Sequence, residues 1–254
     1  MSDCVNIEWK NGFGNQLFQY AYGRILSNQM NCSLTYSGTL ERWKGTSLID
    51  MGFLNNDHIK KHTNENIRVN IDYNKNQAFD LEDPKNYEPY LDQIKSWFPK
   101  VKNFNVGNDL VVHVRIGDNG PNIYTPFEWY KKAIDDNKIE FDKMYVVTDT
   151  PNDKTIHSLK SYYNAELISH VNIETIGDRK KYKNYVLVDF DFIRGFDKIL
   201  FSNSTFSWWA SLLSEASNIW FNKEWQPNHY NGRVKLGNTN YKNWHGIIPF
   251  SLKD

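Results

Sequence analysis

From residue 109 onward, short apolar runs alternate with amphipathic stretches at a spacing that leaves few folds open. DLVVHVRI from Asp109, KMYVVT (143–148), KILFS (198–202) and NIWFN (218–222) have the length and the β-branched or aromatic content of buried strands. Helical patterns separate them, over about 125–137, 152–163, 186–197 and 204–217, with a further short strand at 166–169. The first of these helices is expected to open on a capping box, Thr125-Pro126-Phe127-Glu128, with Pro at the first helical position. Strands alternating with helices in this way predict an α/β fold, a parallel sheet covered on both faces.

The chain also begins as strand, turn, helix. CVNIEW (4–9) is a strand, KNGFG a turn, and Asn15 to Met30 a helix with Leu17, Phe18, Ala21, Ile25 and Leu26 at three- and four-residue spacing. Residues 33–105 show few sustained periods and read as short helices and loops. The expected organisation is an N-terminal lobe over 1–105 and a C-terminal lobe over 106–254, with the boundary near 100–108. The aromatic tail NWHGIIPF is expected to pack back on the first lobe.

Charge excludes several partners. Lys plus Arg and Asp plus Glu are both 30 in 254 residues, so no global field attracts nucleic acid or anionic membrane. No apolar run approaches the ~18 residues of a membrane span, and the N-terminus lacks a basic, apolar leader, so a soluble cytoplasmic protein without a membrane span is expected. Two cysteines, Cys4 and Cys32, cannot build a disulfide framework or a Cys-x-x-Cys metal site.

Polar residues gather at three strand-to-helix turns. The first is Gly12-Phe13-Gly14-Asn15-Gln16, where glycines let backbone N–H groups approach an anion at a helix N-terminus. An ordinary tight turn capped by Asn15 is the alternative. The second is Val112-His113-Val114-Arg115-Ile116-Gly117-Asp118, at the carboxyl end of a strand, where open α/β sheets place ligands. A buried guanidinium needs an anion, and Asp118, Asp149 or a ligand phosphate could each supply it. His113 is either a contact to ligand or a satisfied core histidine. The third is Ser202-Asn203-Ser204-Thr205-Phe206-Ser207, more hydroxyl and amide groups than one helix cap requires. Asp149, just past a strand in VVTDTPND, either accepts from a ribose hydroxyl or base edge or simply forms a turn. The paired carboxylates Asp189-Phe190-Asp191 fall inside a helical pattern and read as structural, not as a metal site.

NGFGNQLFQYAYG, HVRIGD and FSNSTFSWWASLL, in that order, resemble the α-1,2-fucosyltransferase family (glycosyltransferase family 11) over Asn11 to about residue 225. The resemblance implies a glycosyltransferase B-type fold of two Rossmann-like lobes, with the donor site in the C-terminal lobe. It implies an inverting transfer of L-fucose from GDP-β-L-fucose to a sugar hydroxyl of a glycan acceptor, typically α-1,2 to galactose, with no cofactor and no metal. By position, Arg115 would grip the diphosphate, His113 would sit beside it, and Asp149 would meet guanine or ribose. Ser204, Thr205 and Phe206 would line the phosphates, and Gly12, Gly14 and Asn15 would reach them from the other lobe. Asp118 is the candidate base. The family pattern HxRRGDY is broken here, with Ile116 for the second Arg and Asn119 for the Tyr; Ile116 is expected on the opposite sheet face from Arg115. Transfer from another GDP-sugar and a non-catalytic carbohydrate-binding role, which nine Trp and fifteen Tyr would suit, are the alternatives.

Overall fold

A computed structural model describes residues 2–37, 47–50, 52–54, 57–73, 81–98, 107–117, 124–168, 179–224 and 236–247, with the backbone alone over 179–185. The chain divides into two compact units, Met1–Pro99 and Lys100–Asp254.

In the first unit, β1 (Asp3–Glu8) leads through the glycine turn into α1 (Phe13–Gln29). Then come β2 (Ser33–Ser37), β3 (Lys60–Lys61) and β4 (Asn66–Asp72), and after them α2 (Leu91–Ser96). The four strands form one sheet in the order β3-β2-β1-β4, each neighbour parallel. The expectation of helices and loops over 33–105 is corrected here, since that stretch supplies three of the strands.

The two faces of this sheet differ in chemistry. Val5 pairs with Leu34 and Val69, and Ile7 with Ile71, on the face that α1 covers. The helix approaches closely at Gly23, where a Cβ would stand 3.0 Å from Ile7 Cδ1 and 3.1 Å from both Ile71 Cδ1 and Leu34 Cδ1. On the other face Asn6 donates to Asn70 Oδ1 at 2.7 Å and to Ser37 Oγ at 2.8 Å, and Asn70 donates to Glu8 Oε1 at 2.6 Å. Asn6 and Thr35 are fully buried, so these amide and hydroxyl bonds satisfy groups that would otherwise be costly to bury.

The second unit carries β5 (Leu110–Val114), α3 (Phe127–Asp136), β6 (Met144–Thr148), α4 (Lys154–Tyr163) and β7 (Glu166–Leu167). It continues with α5 (Arg179–Arg194), β8 (Lys198–Phe201), α6 (Thr205–Leu212), β9 (Asn218–Asn222) and β10 (Trp244–Ile247). The sheet order is β10-β9-β8-β5-β6-β7, again with every neighbour parallel. The chain winds outward from β5 to β7, then returns to β5's other edge and winds outward again. That is the doubly wound arrangement, and its direction reverses between β5 and β8.

Alternation along β5 sends its residues to two layers. Leu110, Val112 and Val114 pack with Trp129, Tyr130 and Ile134 of α3 and with Ile156 and Leu159 of α4, and Ile116 extends this apolar row. His113 faces the other layer, against Phe206, which packs on Phe190. Aromatic packing ties the described part of the tail into this unit. Trp244 of β10 meets Phe201, Phe221 and Trp208, and the buried Trp208 donates its Nε1–H to Thr239 Oγ1 at 2.9 Å. Among the described residues no helix is long and apolar enough to cross a membrane.

Candidate functional site

In a doubly wound sheet the strand ends at the reversal point diverge, and ligands bind beyond their carboxyl ends. Here that edge belongs to β5 and β8. Register pairs Val112 with Leu200 and His113 with Phe201, so Arg115 and the Ser202–Ser204 turn leave the sheet side by side. Of the sequence-predicted residues, the second unit therefore gathers His113, Arg115, Asp149, Ser204, Thr205 and Phe206 at one edge.

His113 is buried, and its Nδ1 shares a hydrogen bond with Ser207 Oγ at 2.5 Å. Burial, assisted by the charge of Arg115, pushes its pKa down to about 3, so the imidazole is neutral. Through that bond His113 couples β5 to the first turn of α6.

Ser204 is the N-cap of α6, and its side chain accepts from Ser207 N at 3.3 Å. Thr205 and Phe206 form the first turn. The helix thus presents its positive end at the same edge as Arg115. Ser202, the residue following β8, is held from below, accepting a hydrogen bond from the Tyr130 hydroxyl at 2.7 Å. Burial raises the Tyr130 pKa, so that hydroxyl stays protonated as a donor.

Arg115 Nη1 forms an ion pair with Asp149 Oδ2, and Asp149 Oδ1 accepts from Ile116 N at 3.3 Å. Of the anions open from sequence, Asp149 is, among the described residues, paired with the guanidinium. Both side chains retain some exposure, 24% and 19%. Asp118, the candidate base, and Asn119 lie outside the described residues.

Two local expectations are corrected. The capping box is absent: Pro126 is itself the N-cap of α3, with no side-chain cap bond, and the buried Thr125 hydroxyl bonds Tyr130 instead. At the glycine turn the cap is Gly12, not Asn15, and α1 already includes Gly14 and Asn15. The left-handed residue there is Asn11, with φ 64°, while Gly12 is extended. Buried glutamines brace this turn. Gln16 donates to Asn11 O at 3.1 Å, and Gln19 accepts from Lys10 N at 3.1 Å while donating to Glu8 O at 2.7 Å.

Sequence reasoning gave no role to Ser207 or Gly117. A Cβ on Gly117 would collide with the Asp149 carboxylate, lying 2.9 Å from its Cγ and 3.1 Å from Arg115 Nη1. The pair Asp189 and Asp191 sits within α5, where Asp191 accepts from Arg194 Nη1 at 3.0 Å.

No family model matches this chain, and no curated protein sequence matches it. Solved structures do. The chain is similar to NodZ α-1,6-fucosyltransferase soaked with GDP-fucose, at 11% identity and a TM-score of 0.49, over 85% of this chain and 94% of that one. It is similar to Arabidopsis thaliana FUT1 in complex with GDP, at 14% identity and a TM-score of 0.49, over 86% of this chain and 70% of that one. Fucosyltransferase NodZ from Bradyrhizobium gives 11% identity and a TM-score of 0.47, over 85% and 95%.

Proposed function

We propose that this protein is an inverting glycosyltransferase that moves L-fucose from GDP-β-L-fucose to a sugar hydroxyl, forming an α-1,2 linkage to galactose in a glycan acceptor. One observation carries the reading: Arg115 and the hydroxyl-capped N-terminus of α6 stand at the carboxyl edge where the second sheet reverses. A guanidinium and a helix N-terminus at a reversal edge suit a nucleoside diphosphate. The resemblance of the NGFGNQ, HVRIGD and SNSTFSWWA blocks to the α-1,2-fucosyltransferase family favours fucose among sugar donors.

Breaking the fucosyl–phosphate bond builds positive charge on the sugar ring and negative charge on the departing diphosphate. Arg115 and the oriented donors of Ser204, Thr205 and Phe206 meet the growing phosphate charge, and preorganised donors act most strongly on charge that develops in the transition state. The attacking hydroxyl gives up a proton, for which Asp118 is the candidate acceptor. In this reading the turn of Gly12, Gly14 and Asn15 at the start of α1 offers backbone N–H groups to an anion. His113 supports the site through Ser207, and with its pKa pushed down to about 3 by burial it is too weak a base to take the acceptor's proton.

The test is calorimetry with GDP, followed by GDP release from a panel of GDP-sugars in the presence of galactosides. The expected result is GDP binding and turnover with GDP-L-fucose. Turnover with a different GDP-sugar would keep the phosphate site and change the sugar. Sugar binding without GDP binding would make the protein a carbohydrate-binding module.

A further inference from the structure

We propose that Asp149 is the positioning residue for Arg115 and that Gly117 is the residue that admits it, an inference that rests on the donor site proposed above. Backbone register brings the two side chains together. Val114 and Thr148, the last residues of β5 and β6, are paired, so Arg115 and Asp149 leave adjacent strands at the same height. The turn behind Asp149 is fixed as well, since Thr148 Oγ1 accepts from Thr150 N at 3.1 Å.

Asp149 then holds the β5 exit at two points. One oxygen takes the guanidinium and the other takes the Ile116 backbone N–H. A carboxylate used in this way fixes both where the arginine side chain begins its turn and where its charge ends. Gly117 is the condition for that contact. Its φ is not in the left-handed region, which among the described glycines only Gly52 and Gly107 occupy, so the conformation does not demand glycine. The space bears on it instead, because a β-carbon there would displace the Asp149 carboxylate from its present place.

Holding a long, flexible cation in place before the donor arrives removes a cost from the reacting step. It has an opposing effect on the ground state, because the Asp149 charge repels the bound diphosphate. Removing that charge loosens Arg115 but also relieves the repulsion, so GDP affinity moves little while turnover falls. A residue reading the guanine or ribose would behave differently, losing affinity for the nucleoside itself.

The experiment uses Asp149→Asn, nearly isosteric, and Gly117→Ala as a second route to the same displacement. GDP release from GDP-L-fucose gives kcat and KM, and calorimetry gives affinities for GDP and for guanosine. Both variants are expected to lower kcat roughly 10- to 100-fold with KM and guanosine affinity nearly unchanged. In an Arg115→Ala background, Asp149→Asn is expected to add no further loss. Parallel loss of guanosine and GDP affinity would overturn the proposal in favour of nucleoside recognition. Faster turnover with tighter GDP would overturn it in favour of a competing internal anion. Independent losses in the double variant would also overturn it. Absence of GDP binding in the wild-type protein removes the donor site itself, and that result is separate from every variant.

Discussion

His113 and Ser207, 94 positions apart in sequence, share a buried hydrogen bond that joins the middle strand of the second sheet to the first turn of α6. Through it, the strand that leads into Arg115 and the helix that begins at Thr205 keep a fixed relation. A charge-bearing tip and a helix N-terminus can act on one anion only if neither drifts relative to the other.

Ser207→Ala deletes the partner of a buried ring nitrogen. The expected cost is about 1–3 kcal/mol of unfolding free energy. A lower denaturant midpoint with unchanged m-value checks it, and an unchanged midpoint would show that His113 finds another partner.

Neutral His113 also carries a pH signature. Its folded pKa, about 3, lies below the ordinary 6.5, so the stability it contributes is present above pH 6.5 and is lost as pH falls toward 3. Replacing it by Asn should flatten that part of the stability profile, measured by denaturant titration at pH 4, 5 and 7. Turnover between pH 5 and 8 should show no ionisation that His113→Asn removes.

Glu82 in the first unit behaves in the opposite sense. It is buried with the Tyr73 hydroxyl donating to it, and burial pushes its pKa up to about 8. The folded state therefore holds a proton that the unfolded chain releases above pH 4.5, and stability falls as pH rises from 4.5 to 8. Glu82→Gln should be as stable as wild type at pH 4 and more stable at pH 8. Thermal melts at the two pH values decide it.

Arg115→Ala removes the cation from the reversal edge. Turnover with GDP-L-fucose is expected to fall roughly 10²- to 10³-fold, the scale of losing one preorganised oxyanion donor. A fall of less than about threefold would falsify its role in stabilising the leaving diphosphate.

Asp118→Asn separates two roles for a carboxylate three positions after Arg115 in the sequence. As the base for the acceptor hydroxyl, Asp118 should give a large loss of turnover with GDP affinity intact. Equal loss of GDP affinity would make it an orienting group for the guanidinium instead.

Four strands of the second sheet were legible because they are apolar on both faces, whereas β10 (Trp244–Ile247) lay in a segment read only as an aromatic tail. VVHV, MYVV, KILF and NIWF each stand out from the amphipathic stretches between them. The strands β2 and β4 were hidden by the opposite property. SLTYS and NIRVNID place Thr, Ser, Asn and Asp on a polar sheet face, and the bonds among Asn6, Asn70, Ser37 and Glu8 that make this tolerable join residues far apart in sequence. At the site, the blocks containing Arg115 and Ser204 could be found from residue types at strand ends. The pairing of Arg115 with Asp149 could only be left open, since it depends on the register of β5 with β6. The spatial demand for Gly117 depends on that pairing in turn.

The return of the chain from β7 to β8 has a consequence for biosynthesis. Everything up to β7 can emerge from the ribosome and pair locally, with Arg115 in place but nothing beside it on β5's other edge. The opposite wall arrives only with β8 and α6, and contacts so distant in sequence close slowly. On the proposed function, a polypeptide interrupted anywhere in α5 would thus carry Arg115 without the α6 N-terminus that should share its anion, so competence to bind nucleotide would be a late event that reports completion of the second half of this unit.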